Sequence, residues 1–213
     1  FELPEHLMFK KEISYNYEVG LKTTFLHYLF ADLSLFYTDL KNQQIYRTVP
    51  SGRGSYLDNS GLSNNKGVEL SVQNSSFHGF EAMVAYGYTH SKILEYVQNA
   101  QLNYNNSFTP YIPRHTLAVQ ASQTFHLHHS RLIDRIKLNV MYSETGELYW
   151  NLANTLKEEK YGLLSAKVMV SRGNLQLDIW GKNLLNTQYH SFMFESGPDR
   201  KSTRLNSSHT VIS

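Results

Sequence analysis

The sequence predicts an all-β protein: a transmembrane, antiparallel, up-and-down β-barrel wall of about eight strands. Three observations predict it. Apolar and polar residues alternate with period two in separate stretches along the chain, the connections between those stretches alternate short and long, and aromatic residues collect at both ends of the apolar faces.

The first predicted strand covers 13–25, with Tyr15, Tyr17, Val19, Leu21 and Phe25 on one face and Ser14, Asn16, Glu18, Lys22 and Thr24 on the other. A short turn near 26–28 leads to the second, where Leu29, Ala31, Leu33, Leu35 and Tyr37 oppose Asp32, Ser34 and Thr38. A long polar loop, 41–66, precedes the third, which sets Val68, Leu70 and Val72 against Glu69, Ser71 and Gln73. After a short turn at 74–79, the fourth carries Phe80, Ala82, Val84, Tyr86 and Tyr88 on one face. A second long loop, 91–113, leads to the fifth, with Leu117, Val119, Ala121 and Phe125. A medium turn joins it to the sixth, with Ile136, Leu138, Val140 and Tyr142. The third long loop, 143–159, precedes the seventh, with Leu164, Ala166, Val168 and Val170. A tight turn at 171–174 then leads to the eighth, in which Leu175, Leu177 and Ile179 alternate with Gln176 and Asp178. Gly173 supplies the backbone freedom that such a hairpin turn needs.

Loop lengths give each strand a direction, and the aromatics then sort by end. Tyr15, Tyr17, Tyr37, Tyr86, Tyr88 and Tyr142 fall at the long-loop ends of the apolar faces; Phe25, Phe80 and Phe125 fall at the short-turn ends. Two girdles around an aliphatic band suit a lipid-facing wall, because amphipathic rings favour the interface. A soluble β-sandwich also alternates, but predicts neither ordered girdles nor strict alternation of loop lengths. Gln123 is the one polar residue on the lipid face of the fifth strand. The negative mean hydropathy is no argument for solubility, since a barrel wall averages its lipid and lumen faces. No run approaches the roughly 18 apolar residues of a membrane helix.

Composition excludes several classes. Without cysteine there is no disulfide scaffold and no thiolate zinc site. The chain starts at Phe1 with no charged and apolar leader, which for an exported protein implies a fragment or mature form. Residues 199–213 show no alternation and no aromatic, and 199–209 look like the translation of a sequencing-library adapter, so 1–198 are expected to be barrel and 199–213 a non-native tail. Without Asp199, Arg200, Lys201 and Arg204, the 20 basic and 18 acidic residues become 17 and 17. The basicity belongs to the tail, and no nucleic-acid partner is implied.

Five stretches, correctly ordered within 13–190, resemble TonB-dependent outer-membrane receptors. Leu175 to Tyr189 holds Trp180, Gly181, Lys182, Asn183, Leu184 and Tyr189, similar to the W-G-K-N-L-x-N/D-x-x-Y segment of the penultimate strand in that family. Ser14 to Lys22 resembles S-x-N-Y-E-x-G-x-K, Lys66 to Leu70 resembles K-G-V-E-L, Tyr86 to Thr89 resembles Y-x-Y-T, and Tyr111 to Leu117 resembles Y-x-P-R-H-x-L. The resemblance implies about eight C-terminal strands of a 22-stranded barrel, a multi-pass protein of the Gram-negative outer membrane in contact with its lipid, and a monomer. It also implies an N-terminal plug, through which the TonB energy-transducing complex acts, and a closing strand, both missing from this sequence. The isolated chain is therefore not expected to transport.

No phosphate loop, dinucleotide fingerprint or nucleophile elbow appears, so neither enzyme nor cofactor is expected. His126, His128 and His129 fall in a short turn and read as solvated rather than metal-binding. Glu18, Lys22, Glu69, Glu81, Lys137, Lys167, Asp178 and Lys182 make a polar lumen face. Ligand contacts are expected in the external loops: Arg53 and Tyr56 in the first, Tyr104 and Tyr111 in the second, Tyr149 and Trp150 in the third. Aromatics and arginine suit a bulky anionic chelate. No loop shows the ligating histidine motif of a haem receptor. The expected function is TonB-dependent uptake of a ferric siderophore or related iron chelate; the alternatives are a passive porin-like channel and a non-transport scaffold or adhesin.

Overall fold

The computed structural model describes residues 10–48, 55–128, 130, 132–196, 200–205 and 210–212. Six long strands follow one another: β1 (Ile13–Phe25), β2 (Leu29–Thr48), β3 (Ser55–Asn74), β4 (Phe80–Glu95), β5 (His115–His126) and β6 (Arg135–Thr145). Two short strands, β7 (Leu148–Tyr149) and β8 (Lys157–Glu158), sit in the third long loop. Then come β9 (Tyr161–Arg172), β10 (Leu175–Gly181), β11 (His190–Ser196), β12 (Arg200–Leu205) and β13 (Thr210–Ile212). One antiparallel sheet runs in the order β1-β2-β3-β4-β5-β6-β9-β10-β13, while β7-β8 and β11-β12 pair separately. All eight predicted strands are present, each beside its sequence neighbour, as an up-and-down meander requires. The sheet is an open segment of wall, with β1 at one edge.

Cross-strand register joins like with like. Val19 faces Leu35, which faces Val68; Val72 faces Val84, which faces Val119. Among the described residues this apolar side has no protein cover: Val19 is 65% exposed, Leu21 61% and Leu177 49%. A soluble sandwich would bury such a face; a lipid-facing wall presents it. The opposite side is polar and self-paired. Lys22 lies 2.8 Å from Asp32, Lys137 3.0 Å from Glu81, and Lys167 2.7 Å from Asp178. Ser34 donates to Glu18 at 2.8 Å. Glu18, Lys22, Asp32, Ser34, Glu69 and Thr116 are among the residues around a concavity of about 630 Å³ on this face.

Gln123 does not break the lipid face. Its amide donates to the carbonyls of His78 and Thr124, both at 3.1 Å, so it fastens a turn. Gly173 has φ +53°, as the two-residue turn between β9 and β10 requires. Gly67 serves a different need. A Cβ there would collide with the Tyr88 carbonyl oxygen and the Phe36 ring, which covers the glycine from across the strand pair.

The loop 41–66 predicted from the sequence is largely strand. β2 continues to Thr48 and β3 begins at Ser55, and their pairing runs on through register shifts between Leu40 and Ile45. β4 likewise runs to Glu95, past the predicted loop start at 91. Beyond the tyrosine girdle no lipid demands apolar residues, so the period-two signal ends while the hydrogen-bonded ribbon goes on. The signature segment is strand only to Gly181. Lys182 to Tyr189 folds as a turn because Asn183, at φ +50°, brackets Thr187 with two hydrogen bonds of 2.9 and 3.0 Å.

Candidate functional site

Among the described residues the buried hydrophobics lie beyond the tyrosine girdle, with Ile45 and Ile93 in the extensions of β2 and β4 and a cluster in the third long loop. Leu148, Trp150 and Leu156 form that cluster, with Met193 packed on it. Here the second and third loops lock together. Asn154, held at φ +55°, gives and takes hydrogen bonds with the Phe108 backbone, at 2.9 Å to its carbonyl and 2.7 Å from its N–H. The Tyr111 N–H donates to the Tyr149 carbonyl at 2.8 Å, and the Arg114 N–H to the Glu147 carbonyl at 3.1 Å. Below them Ser91 donates to Asn65 and accepts from the Thr109 hydroxyl at 2.6 Å.

An ion chain crosses the same junction. Arg114 reaches Glu147 at 2.7 Å, Glu147 reaches Lys157 at 2.9 Å, and Lys157 reaches Glu159 at 3.1 Å. The hydrogen bond from Lys157, then that from Arg114, holds the Glu147 carboxyl below its ordinary range. The Glu147 bond in turn raises Arg114 and Lys157 above theirs. Phe108 collects cations: Arg114 stands 4.6 Å and Lys92 5.2 Å from its ring centre, and His90 meets it edge-on at 5.6 Å. Partial burial, followed by the nearby charges of Lys66, Lys92 and Arg114, pushes the His90 imidazole below its usual value. Lys66 pairs with His90 across β3 and β4 on the parity of Val68 and Tyr88, one step beyond the tyrosine girdle. This cation cluster therefore continues the outward face.

The predicted contact residues divide. Tyr111, Tyr149 and Trp150 come together: Tyr111 meets Trp150 edge-on at 5.8 Å and stacks on Phe192 at 6.3 Å, while Tyr149 stacks on Phe108 at 5.9 Å. Tyr111 is 56% exposed, whereas Trp150 is 9% exposed and packs inside the cluster. Tyr104 lies apart, edge-on to Tyr96 at 5.3 Å, and the Tyr96 hydroxyl donates to the Tyr46 carbonyl at 3.5 Å, tying the second loop to β2. Tyr56 is in β3, paired with Arg47. Arg53 lies outside the described residues. Among described residues, the two buried side-chain nitrogens without a hydrogen-bond partner, Arg114 Nε and Trp150 Nε1, both belong to this platform.

The signature segment acts as a brace. The Leu184 N–H donates to the Leu164 carbonyl at 2.8 Å, the Thr187 hydroxyl to the Gly162 carbonyl at 2.8 Å, and Tyr189 stacks on Tyr161 at 4.4 Å. Lys182 lies 5.4 Å from the Trp180 ring centre. His190 then grips the buried Glu158 through its N–H at 3.0 Å and its imidazole at 2.8 Å. Phe108, Arg114, Glu147 and Asn154 were not singled out as site residues from the sequence. Only the Y-x-P-R-H resemblance touched one of them, because loop contacts carry no periodicity.

An uncovered apolar face, a self-paired polar concave face and a locked platform of long loops define the wall of a transmembrane β-barrel. The family model for the TonB-dependent receptor-like β-barrel matches residues 8–184. The chain belongs to that family, whose members are receptors rather than enzymes.

Among solved structures, the ferric yersiniabactin uptake receptor FyuA from Yersinia pestis is similar with a TM-score of 0.76 at 18% identity, over 92% of this chain and 28% of its own. The siderophore receptor PiuA from Acinetobacter baumannii gives 0.72 at 16% identity, over 92% and 27%. The ferric-catecholate import receptor Fiu from Escherichia coli K12 gives 0.69 at 20%, over 93% and 26%. The chain thus spans under a third of the length of these relatives.

Proposed function

We propose that this chain is part of the barrel of an energised outer-membrane receptor that takes up a ferric siderophore or related iron chelate. The observation that carries the reading is the family match over 8–184 on a wall with an apolar outside and a polar concave inside. Relatives named for ferric yersiniabactin and ferric catecholate uptake support the choice of cargo. In this reading Tyr111 and Tyr149, with Arg53 and Tyr104 from neighbouring loops and Tyr56 from the start of β3, contact the chelate. Trp150 holds Tyr111 and Phe192 in place from below. The unpaired Arg114 and Trp150 donors fit a platform completed by the rest of the receptor. The lumen pairs face the plug, through which the TonB complex pulls; the barrel is monomeric and binds no nucleic acid. The segment Trp180 to Tyr189 braces β9 rather than touching cargo, and 199–213 are a non-native tail, of which 210–212 pair along the free edge of β10.

The test is uptake of a labelled ferric siderophore by cells carrying the full-length receptor. Import that stops when the proton-motive force is collapsed supports the reading. Import that continues unchanged identifies a passive channel, and a barrel that neither binds nor imports any iron chelate overturns the cargo.

A further inference from the structure

We infer that the lipid face carries a seat for one acyl chain of a glycerophospholipid, at the short-turn end of β2, β3 and β4. A groove of about 340 Å³ opens there, lined among others by Tyr28, Val72, Phe77, Phe80, Ala82 and Val84. Its volume falls at the low end of the range of ligand pockets.

Two observations make it a built feature. Its walls are aromatic and fixed. Tyr28 stacks on Phe77 at 6.1 Å, and Phe77 and Phe80 exchange two backbone hydrogen bonds of 2.9 Å. Ala82, small among these rings, leaves the floor open. Two carboxamides at its edge are engaged by backbone groups. Asn74 accepts from the Ala82 N–H at 2.5 Å and donates to the carbonyls of Ser75 and Phe80 at 2.8 and 3.1 Å. Gln123, register partner of Phe80, is spent on His78 and Thr124. With these two carboxamides hydrogen-bonded and Gln73 at the rim, the groove offers mainly apolar surface.

Position selects the occupant. Val72 and Val84 belong to the same uncovered face as Leu33, Leu70 and Val119, so the groove is continuous with the lipid contact. It lies at the short-turn end, which in outer-membrane barrels is the periplasmic side. The leaflet there supplies glycerophospholipid; lipopolysaccharide lies in the other one. The inference rests on this orientation and not on the identity of the cargo.

The experiment uses the full-length receptor, equilibrated in nanodiscs of phosphatidylethanolamine and phosphatidylglycerol, then stripped in mild detergent and weighed by native mass spectrometry. Wild type is expected to keep one phospholipid. Ala82→Phe, which fills the floor, lowers its occupancy at least about tenfold, because each displaced methylene is worth several-fold in affinity. Phe77→Ala removes a wall and gives the same loss without adding bulk, so the test does not hang on one variant folding. Leu21→Phe, on the lipid face away from the groove, keeps the lipid. Equal retention by wild type, Ala82→Phe and Phe77→Ala overturns the proposal, as does a wild type that keeps no phospholipid.

Discussion

Leu35 in β2 and Trp150 in the third loop place apolar surface in opposite ways. Leu35 is 45% exposed and meets Val19 and Val68 only sideways, along the ladder. Trp150 is 9% exposed, enclosed by Leu148 and Leu156 and by the rings of Tyr111 and Phe192. The wall therefore depends on backbone hydrogen bonds and on lipid outside it, whereas the platform carries its own small core and side-chain locks. A barrel in lipid needs no interior of its own; a loop assembly standing in water does. The two regions should fail separately.

Trp150→Ala should give the largest effect, about 3–5 kcal/mol of local stability. Hydrogen exchange should accelerate through 103–113 and 147–158 while the denaturation midpoint of the full-length barrel stays put. If the wall unfolds together with the platform, the separation is wrong. Leu35→Arg should do the reverse, costing about 2–4 kcal/mol for a cation in the lipid belt. It should lower the yield of folding into vesicles and leave the loops of the folded fraction protected.

Gly67→Ala should cost about 1–3 kcal/mol in the wall, because the added methyl meets the Tyr88 carbonyl and the Phe36 ring. Unfolding in vesicles reads it directly. Asn154→Ala strips both partners from the Phe108 backbone and should loosen the second loop by about 1–3 kcal/mol, visible as faster exchange at Phe108 with no change in the wall.

The smallest effect should be a pH dependence confined to the platform. Glu147 titrates below its ordinary value when folded, so its pairing with Lys157 and Arg114 is fully present above the ordinary glutamate pKa of about 4.3. It is lost as pH falls from there through the lower folded value. Lys157 is raised when folded, so its share is present below the ordinary lysine pKa of about 10.4 and fades as pH rises through the folded one. Loop exchange rates should rise at both extremes, and Glu147→Gln should flatten the acid limb. An unchanged acid limb in that variant would remove Glu147 from the account.

This contrast also explains what the sequence could reveal. Each wall strand had to set apolar residues against lipid and polar ones against the lumen, and that demand wrote period two into 13–25 and 175–179. The girdles at Tyr15, Tyr86 and Tyr142 were legible for the same reason. Above the girdle the demand ends, and the extensions of β2, β3 and β4 read as loops. In the platform, partners far apart in sequence meet through a positive φ at Asn154 or Tyr111, and no local pattern announces them. Residue type alone pointed to Tyr111, Tyr149 and Trp150, but could not separate the exposed ring of Tyr111 from the enclosed indole of Trp150.

The most direct test is where the two ends of the wall lie. This stretch has no cysteine, so single thiols can be placed at Tyr111 in the platform and at His78 in the turn between β3 and β4 of the full-length receptor. With a membrane-impermeant maleimide, the thiol at 111 should label in intact cells and the thiol at 78 only after the outer membrane is permeabilised. Labelling of 78 in intact cells, or of 111 only after permeabilisation, would contradict the orientation on which the external platform, the lipid seat and the uptake reading all depend.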